Sequence, residues 1–424
     1  MSNAATRAEE EEDSMDTDAI DKKLAELDES EEKVDQLIEL RKLERALTSC
    51  EEKGDEEEND RKKRLTAIQE KMKALMKANE MVGAYELLQE RFQWARDEKG
   101  FNEMVASEKK KVDLIEKKLQ DARDNLGDDE VQQAMREIGD LYAKSGNKEK
   151  CLEAYAKCVV DGAGATVGQK MEIAFSKARV GIFWDDLRLW KESIEEIKKL
   201  LEQPGGADWE RKNRLKVYEG LFMCASRDFE SASVLFLESL STFGAYELMS
   251  YDEFVFHCVI TAVVALPRVE LNEKVVQAPE IIRASLSTPG LPDFLNSLQR
   301  CEYAKFAQAF PLVLDAVDES PWLSAHSRYF SREARVRAYA QYLQSYRSVS
   351  VPAMARAFGV STAFLDEELS RFIVNGRLNC TIDAVEGVLR TNRPDKKNAL
   401  YQQFVKDGDA LLNRIQKLSR VIDL

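Results

Sequence analysis

Two histidines, His257 and His326, are all that this chain of 424 residues contains. A metal-dependent isopeptidase needs closely spaced histidine ligands beside a carboxylate, and two distant ones cannot supply the set. The seven cysteines, from Cys50 to Cys380, include no C-x-x-C pair, and no nucleophile motif surrounds any of them. Cys151 and Cys158 stand two turns apart on one helical face and read as small buried apolar residues. An odd, scattered set of thiols suggests a reducing compartment. Phosphate-cradling order is missing as well, since Gly205-Gly206 and the stretch Gly162 to Gly168 lack the G-x-x-x-x-G-K-[ST] spacing. Basic residues number 62 against 77 acidic ones, a net charge of −15, which disfavours a nucleic-acid backbone as ligand. The segment Met1 to Asp21 lacks the basic and apolar regions of a signal peptide. The longest apolar run, Val255 to Pro267, falls short of the ~20 residues that span a bilayer. These absences point to an intracellular, non-membrane protein with no catalytic residues, no metal and no cofactor. His257, inside the apolar run, reads as a core residue.

Hydrophobic residues make up 44% and charged ones 33% of the chain, the profile of a helix-rich protein with a heavily solvated surface. At roughly 150 residues per domain the length suggests two to three domains. Residues 1 to about 20 hold Glu9 to Asp13, Asp16, Asp18 and Asp21 with almost nothing apolar, and read as a disordered acidic tail. Helical spacing of Leu24, Leu27, Val34, Leu37 and Ile38 indicates a weakly held helix, followed by a charged joint at Glu51 to Lys63. Residues 1–60 thus form an acidic, partly disordered segment. From Arg64 to Leu126 the pattern reads as one long helix, with Val112, Ile115, Leu119, Ala122 and Leu126 as a narrow stripe.

An internal repeat begins at Ile138. Its anchors Gly139, Gly181 and Gly220 are each followed after three residues by a bulky one (Tyr142, Trp184, Met223). After twelve comes a small one (Cys151, Ser193, Ala232), and after sixteen a large one (Tyr155, Ile197, Phe236). Small residues permit close helix approach and large ones fill the space beyond, as in tetratricopeptide-like pairs that bury their apolar faces only by stacking. Apolar helical segments continue over Tyr251 to Val264 and Leu298 to Val317, with turns at Pro267, Pro289 to Pro292 and Ser320-Pro321. A solenoid over 61–325 is the expectation.

The character then changes. An amphipathic helix at Arg332 to Ser345 leads into a β-prone Ser348 to Val351, and Pro352 opens a helix ending near Phe358 and Gly359. Ser361 caps the next, with Phe364, Leu365, Leu369, Phe372 and Ile373 inward and Asn375-Gly376 as its stop. Strand-like runs at Leu378 to Ile382 and Val388 to Thr391 flank a turn at Glu386-Gly387. This order over 326–393 is that of a winged helix. Its second helix offers Asp366, Glu367 and Glu368 against a lone Arg371, which repels DNA phosphates, so the module is read as a protein-contact device working through a strand edge or its apolar flanks. A free-standing nucleic-acid or adaptor module is the competing reading.

A helical solenoid ending in a winged helix resembles the PCI module shared by the proteasome lid, the COP9 signalosome and translation initiation factor three. More specific stretches are DWERKNRLKVYEGL (Asp208 to Leu221), RDFESASVLFLESLSTFGAYEL (Arg227 to Leu248), SYRSVSVPAMARAFGVSTAFLDEELSRFIVNGRLNCTIDAVEGVLRT (Ser345 to Thr391) and GDALLNRIQKLSRVIDL (Gly408 to Leu424). Across residues 65 to 424 these resemble the family of non-ATPase lid subunits of the 26S proteasome regulatory particle, numbered seven in the fungal scheme and six in the human one. COP9 signalosome subunit one is the close relative and the alternative.

The resemblance implies a mainly α fold: solenoid, a PCI module over roughly 220–393, and a bundle helix over 394–424. It further implies a non-catalytic scaffold in cytoplasm and nucleus that supports lid assembly and ATP-dependent degradation of ubiquitinated proteins. Implied partners of this hetero-oligomer are other PCI-containing lid subunits, the lid deubiquitinase and the base of the regulatory particle, with no nucleic acid and no membrane. The strand Leu378, Cys380, Ile382 is the expected edge contact. Phe404, Leu411, Ile415, Leu418 and Ile422 form a terminal apolar stripe that Tyr401, Val405 and Leu412 widen, with Gly408 as a kink or restart. Leu411, Ile415 and Leu418, beyond that glycine, are the expected bundle contacts.

Overall fold

The computed structural model describes residues 34–52, 58–94, 96–125, 127–161, 166–206, 208–392 and 396–422. The acidic tail expected at 1–20 lies outside them, as do residues 53–57 of the expected joint. The chain divides into two compact units, Met1–Pro292 with Phe310–Ser331, and Asp293–Ala309 with Arg332–Leu424.

The first unit opens with α1 (Gln36–Glu52), whose expected weak attachment is corrected by the structure. Leu37, Ile38, Leu40 and Leu47 are buried, Arg41 pairs with Asp185, Lys42 with Glu253, and Arg45 donates to the Asp318 carbonyl at 3.0 Å. Ile38 and Leu40 point to different sides of α1 and both are fully buried, so the helix is enclosed rather than laid on one face. The single long helix expected over Arg64 to Leu126 is three: α2 (Glu58–Ala78), α3 (Val82–Phe92) and α4 (Glu98–Asn125). Neither break carries glycine or proline. Glu80 and Gln93 instead take left-handed backbone, at φ 56° and 51°, a conformation that L side chains adopt only where packing favours it. Folding back at these points gathers Met72, Met76, Met81, Tyr85, Leu88 and Phe101 into one core, which offsets the strain.

The repeat is three antiparallel pairs: α5 (Asp128–Ser145) with α6 (Lys148–Asp161), α7 (Val167–Phe183) with α8 (Leu187–Leu201), and α9 (Trp209–Ala225) with α10 (Phe229–Ser239). Each turn is made alike. A left-handed residue, Gly146, Asp185 or Arg227, precedes an N-cap, Asn147, Asp186 or Asp228, whose side-chain oxygen accepts a backbone N–H of the next helix. Eight residues before the cap and eight after it lie Gly139 and Tyr155 in the first pair, and Gly220 and Phe236 in the third. A Cβ on Gly139 would stand 2.5 Å from the Tyr155 ring, and one on Gly220 2.4 Å from the Phe236 ring. The expected register of the middle copy is corrected by these caps. Its matching pair is Ala178 and Ile194, both buried, where a methyl is gained and a ring lost. Gly181 sits nearly one turn further on and meets the Trp190 backbone nitrogen instead, at 3.2 Å for a built Cβ.

A charged network runs between the pairs. Arg179 of α7 bonds Asp35 at 2.7 Å and the Tyr218 hydroxyl at 3.3 Å, Tyr218 donates to Glu247 at 2.9 Å, and Arg214 of α9 pairs with Glu247 and with Glu172 at 3.0 Å. Burial opposes the Arg179 charge, yet Tyr218, Asp35 and Glu247 hold its pKa above the ordinary value; burial likewise opposes the Glu172 carboxylate, and Arg214 and Arg211 hold its pKa below the ordinary value. The Asp35 N–H donates to the Glu247 carbonyl at 2.8 Å, and its carboxylate caps the Leu37 N–H, so the start of α1 is part of this network. Helix α11 (Tyr251–Ala265), buried on nearly every face, continues the unit beyond α10.

Both histidines are consumed by the first unit. His257 Nδ1 donates to the Glu253 carbonyl, Ser320 Oγ donates to His257 Nε2 at 2.9 Å, and the Trp322 N–H donates to Ser320 Oγ at 3.3 Å. Burial pushes the imidazole pKa down from 6.5 to about 4. His326 Nε2 bonds the Ala225 carbonyl at 2.9 Å beside the Phe229 ring.

In the second unit, the apolar segment expected at Leu298 to Val317 is two helices, α12 (Leu291–Arg300) and α13 (Tyr303–Glu319), parted at Cys301 with φ 61°; the unit holds Asp293–Ala309 of this stretch. Helix α14 (Ser327–Leu343), β1 (Ser348–Ser350), α15 (Val351–Phe358), α16 (Thr362–Val374), β2 (Cys380–Asp383) and β3 (Val388–Thr391) follow in winged-helix order, then α17 (Lys396–Ile422). Pro352 lies in the first turn of α15, Gly359 and Gly376 end α15 and α16 in left-handed backbone, and Ser361 Oγ caps the Phe364 N–H. Phe364 itself, expected inward, is exposed because the cap turns the first residues of α16 toward solvent, while Leu365, Leu369 and Phe372 are buried.

Two outcomes follow. Gly220→Ala should lower stability by ~1–3 kcal/mol through overpacking, Phe236→Leu in the same chain should recover part of it, and Gly408→Ala, with nothing within 4 Å, should cost nothing in thermal unfolding. Because the unfolded chain binds a proton that the folded His257 refuses, stability should fall as pH drops from 6.5 to about 4, by ~3 kcal/mol at the acid end. Denaturant midpoints across that window should flatten by one proton in His257→Gln.

Candidate functional site

The sheet of the second unit has the order β1-β3-β2, antiparallel throughout, with Val349 and Ile382 both opposite Leu389. Central β3 is satisfied on both sides, which leaves β1 and β2 as edges. The Asn392 N–H donates to the Asn379 carbonyl, and alternation along an antiparallel ladder then turns the backbone groups of Thr381 toward β3. Cys380 and Ile382 therefore turn theirs to the open side. The side chains at this edge are a different matter: Leu378 and Cys380 are buried within their own unit and Ile382 is half-buried. The groups that β2 leaves open are thus the main-chain ones of Cys380 and Ile382, while the side chains of Leu378 and Cys380 are buried.

Helix α16 is anchored rather than offered for base reading. Of its acidic residues Glu368 is buried, accepts the Tyr339 hydroxyl at 2.6 Å and pairs with Arg335 at 3.1 Å; Glu367 pairs with Arg371. Burial and then the Glu368 carboxylate push the Tyr339 pKa up, so the phenol keeps its proton and the bond stays donated toward Glu368. Below, Arg377 reaches Glu333 of α14. The outward remainder, Asp366 with the Glu367–Arg371 pair, gives a phosphate backbone no cationic stripe.

Helix α17 runs unbroken from Lys396 to Ile422. The restart expected at Gly408 is absent, since one glycine costs a helix only about 1 kcal/mol and leaves its hydrogen bonds intact. Residues 400–420 are exposed on every face, with Leu411 60%, Ile415 56% and Leu418 63% exposed and Tyr401, Phe404, Val405 and Leu412 equally open. Phe404, Leu411 and Leu418 recur every seven residues, Tyr401 and Ile415 lie fourteen apart with Gly408 midway, and Val405 and Leu412 form a third row beside them. Three adjacent rows exceed the two-row seam of a two-stranded coil, so the face fits more than one neighbouring helix.

Comparison with known proteins agrees with this layout. A family model described as 26S proteasome subunit RPN7 matches residues 97–274, a PCI domain model matches 297–393, and a model described as the 26S proteasome regulatory subunit RPN7/PSMD6 C-terminal helix matches 401–422. The 26S proteasome non-ATPase regulatory subunit 6 of Oryza sativa is 47% identical over 351 residues, covering 83% of this chain and 89% of the relative. Its namesake in Caenorhabditis elegans is 41% identical, over 84% and 87%. The 26S proteasome regulatory subunit RPN7 of Saccharomyces cerevisiae is 36% identical, over 78% of each.

Proposed function

Since the chain belongs to the family of 26S proteasome non-ATPase regulatory subunit 6, or RPN7, we propose that it is a non-catalytic scaffold of the regulatory particle lid. In this reading it supports lid assembly and the ATP-dependent degradation of ubiquitinated proteins in cytoplasm and nucleus. Its partners are other PCI-containing lid subunits, the lid deubiquitinase and the base of the particle. The family model that matches names the proteasome subunit rather than its signalosome relative, which sets the signalosome alternative aside.

The observation that carries the proposal is α17. Phe404, Leu411, Leu412, Ile415 and Leu418 lie open on a segment matched as a C-terminal helix of this family. A helix this apolar, left in water, is an aggregation liability, and covering it in an assembly removes the liability. Burying Leu411, Ile415 and Leu418 supplies several kcal/mol at ~1.5–3 each, enough to decide incorporation. The open backbone of Cys380 and Ile382 adds a second contact, directional where the helix is not, through strand pairing with a neighbouring PCI module.

Truncation after Asp409 should leave thermal unfolding of the remaining chain unchanged, because residues 410–420 are exposed and support no core of their own. The truncated subunit should still pair through its PCI module yet fail to complete the lid, measured as its share of affinity-purified particles against a co-expressed full-length copy. Incorporation at the full-length level would refute the bundle role. A full-length chain that purifies alone with nucleic acid retained at moderate salt would favour the free-standing winged-helix reading.

A further inference from the structure

A serine or threonine stands directly before proline twice in this chain, at Thr288 and at Ser320, and both residues line one recess of about 680 Å³ in the first unit. Their surroundings differ. Ser320 is buried, and its hydroxyl donates to His257 and accepts the Trp322 N–H. Thr288 is half-exposed, and among the described residues its hydroxyl has no hydrogen-bond partner. Its backbone is extended, at φ −100° and ψ 118°, the conformation that a following proline favours. Leu286 is 75% exposed, Ser287 and Pro289 are exposed as well, and Gly290, at φ 80°, turns the chain into α12. Residues 286–289 are therefore open to solvent, with an extended hydroxyl-bearing residue followed by one that has no N–H to donate. A protein kinase cleft that offers no acceptor for that N–H selects proline there, because any other residue would be buried with its donor unpaired.

The charges of the recess decide what a phosphate would do in it. Lys42 of α1 and Arg64 of α2 line it, together with Asp252 and Glu253 of α11 and with Glu319. Lys42 pairs with Glu253, and that pair fastens α1 to α11. Three carboxylates against two cations leave the recess net negative before any modification. A phosphate on threonine adds about −1.5 to −2 charges at neutral pH. Placed here it competes with Glu253 for Lys42 and is repelled by Asp252 and Glu319.

We propose that Thr288 is a phosphorylation site for a proline-directed protein kinase, and that the phosphate loosens the hold of α1 on α11. Thr288 Oγ1 attacks the terminal phosphorus of ATP. The new Oγ1–P bond forms as the bond from that phosphorus to the bridging oxygen of the leaving ADP breaks, and the hydroxyl proton passes to a carboxylate of the kinase. The site lies in the first unit and does not depend on the assembly role drawn from α17 and the sheet edge.

The test incubates the full folded chain with ATP and, separately, a cyclin-dependent and a mitogen-activated kinase, and maps the phosphate by mass spectrometry. At least one kinase should modify Thr288 while leaving Ser320 at least tenfold less modified. Thr288→Ala and Pro289→Ala should each lower incorporation at least tenfold. Hydrogen exchange of the amides in α1 should be at least threefold faster in the phosphorylated chain than in the same chain after phosphatase treatment. No phosphate at Thr288 with either kinase overturns the proposal. So does equal modification of Thr288 and Ser320, which would show the kinase reading an unfolded chain, and so does incorporation that survives Pro289→Ala. Full occupancy of Thr288 with exchange in α1 unchanged or slower overturns the loosening.

Discussion

Arg179 and Arg214 keep their charges in the interior of the helical array, and the order of the first unit follows from what holds them there. A guanidinium taken out of water loses several kcal/mol of solvation, which only well-placed carboxylates and hydroxyls return. Asp35, Glu172, Glu247 and Tyr218 do so from four separate places in the chain, each within hydrogen-bonding reach. Such a set is satisfied in one arrangement of α1, α7, α9 and the turn at Glu247. Hydrophobic burial would accept a helix slid by a turn, whereas the network leaves a buried charge unpaired if any member slips. Removing one partner from such a network costs ~3–5 kcal/mol, far more than a surface pair.

The repeats solve a complementary problem. A pair of helices cannot hide its own apolar face and must stack on the next, while within a pair the close approach is made where Gly139 meets Tyr155 and Gly220 meets Phe236. The middle pair places Ala178 and Ile194, both buried, at the corresponding positions, a methyl gained where a ring is lost. Against this saturated interior, α17 stands out by having none of its residues 400–420 covered. The same chain therefore contains helices buried in a common core and one whose apolar face no described residue of the chain covers. The winged helix lies between these extremes, its side chains committed inward at Leu378 and Cys380 and its β2 backbone left open.

Much of this was written in the sequence wherever a local signal has a local cause. Asn375-Gly376, Glu386-Gly387, Ser361 and Pro352 fix turns and caps through their own backbone preferences, so the winged helix could be read nearly residue by residue. The stripe of Leu411, Ile415 and Leu418 needed only the 3.6-residue period, whereas its exposure is decided by the fold. The candidate edge was legible as a strand, but which of its groups face outward was not, because the hydrogen-bonding alternation of Thr381 and Ile382 is set by the register against β3. Tertiary structure alone decided the rest. Glu80, Gln93 and Cys301 turn the chain in left-handed backbone with no glycine to announce it, since the energy that holds them there comes from cores assembled elsewhere. Size recurrence alone places the middle repeat three residues off, at Gly181 instead of Ala178, because it tolerates a shift of nearly one turn, while the caps at Asp186 and Asp228 do not. A residue's own conformational preference is carried in the sequence; whether its partners arrive is decided by the fold.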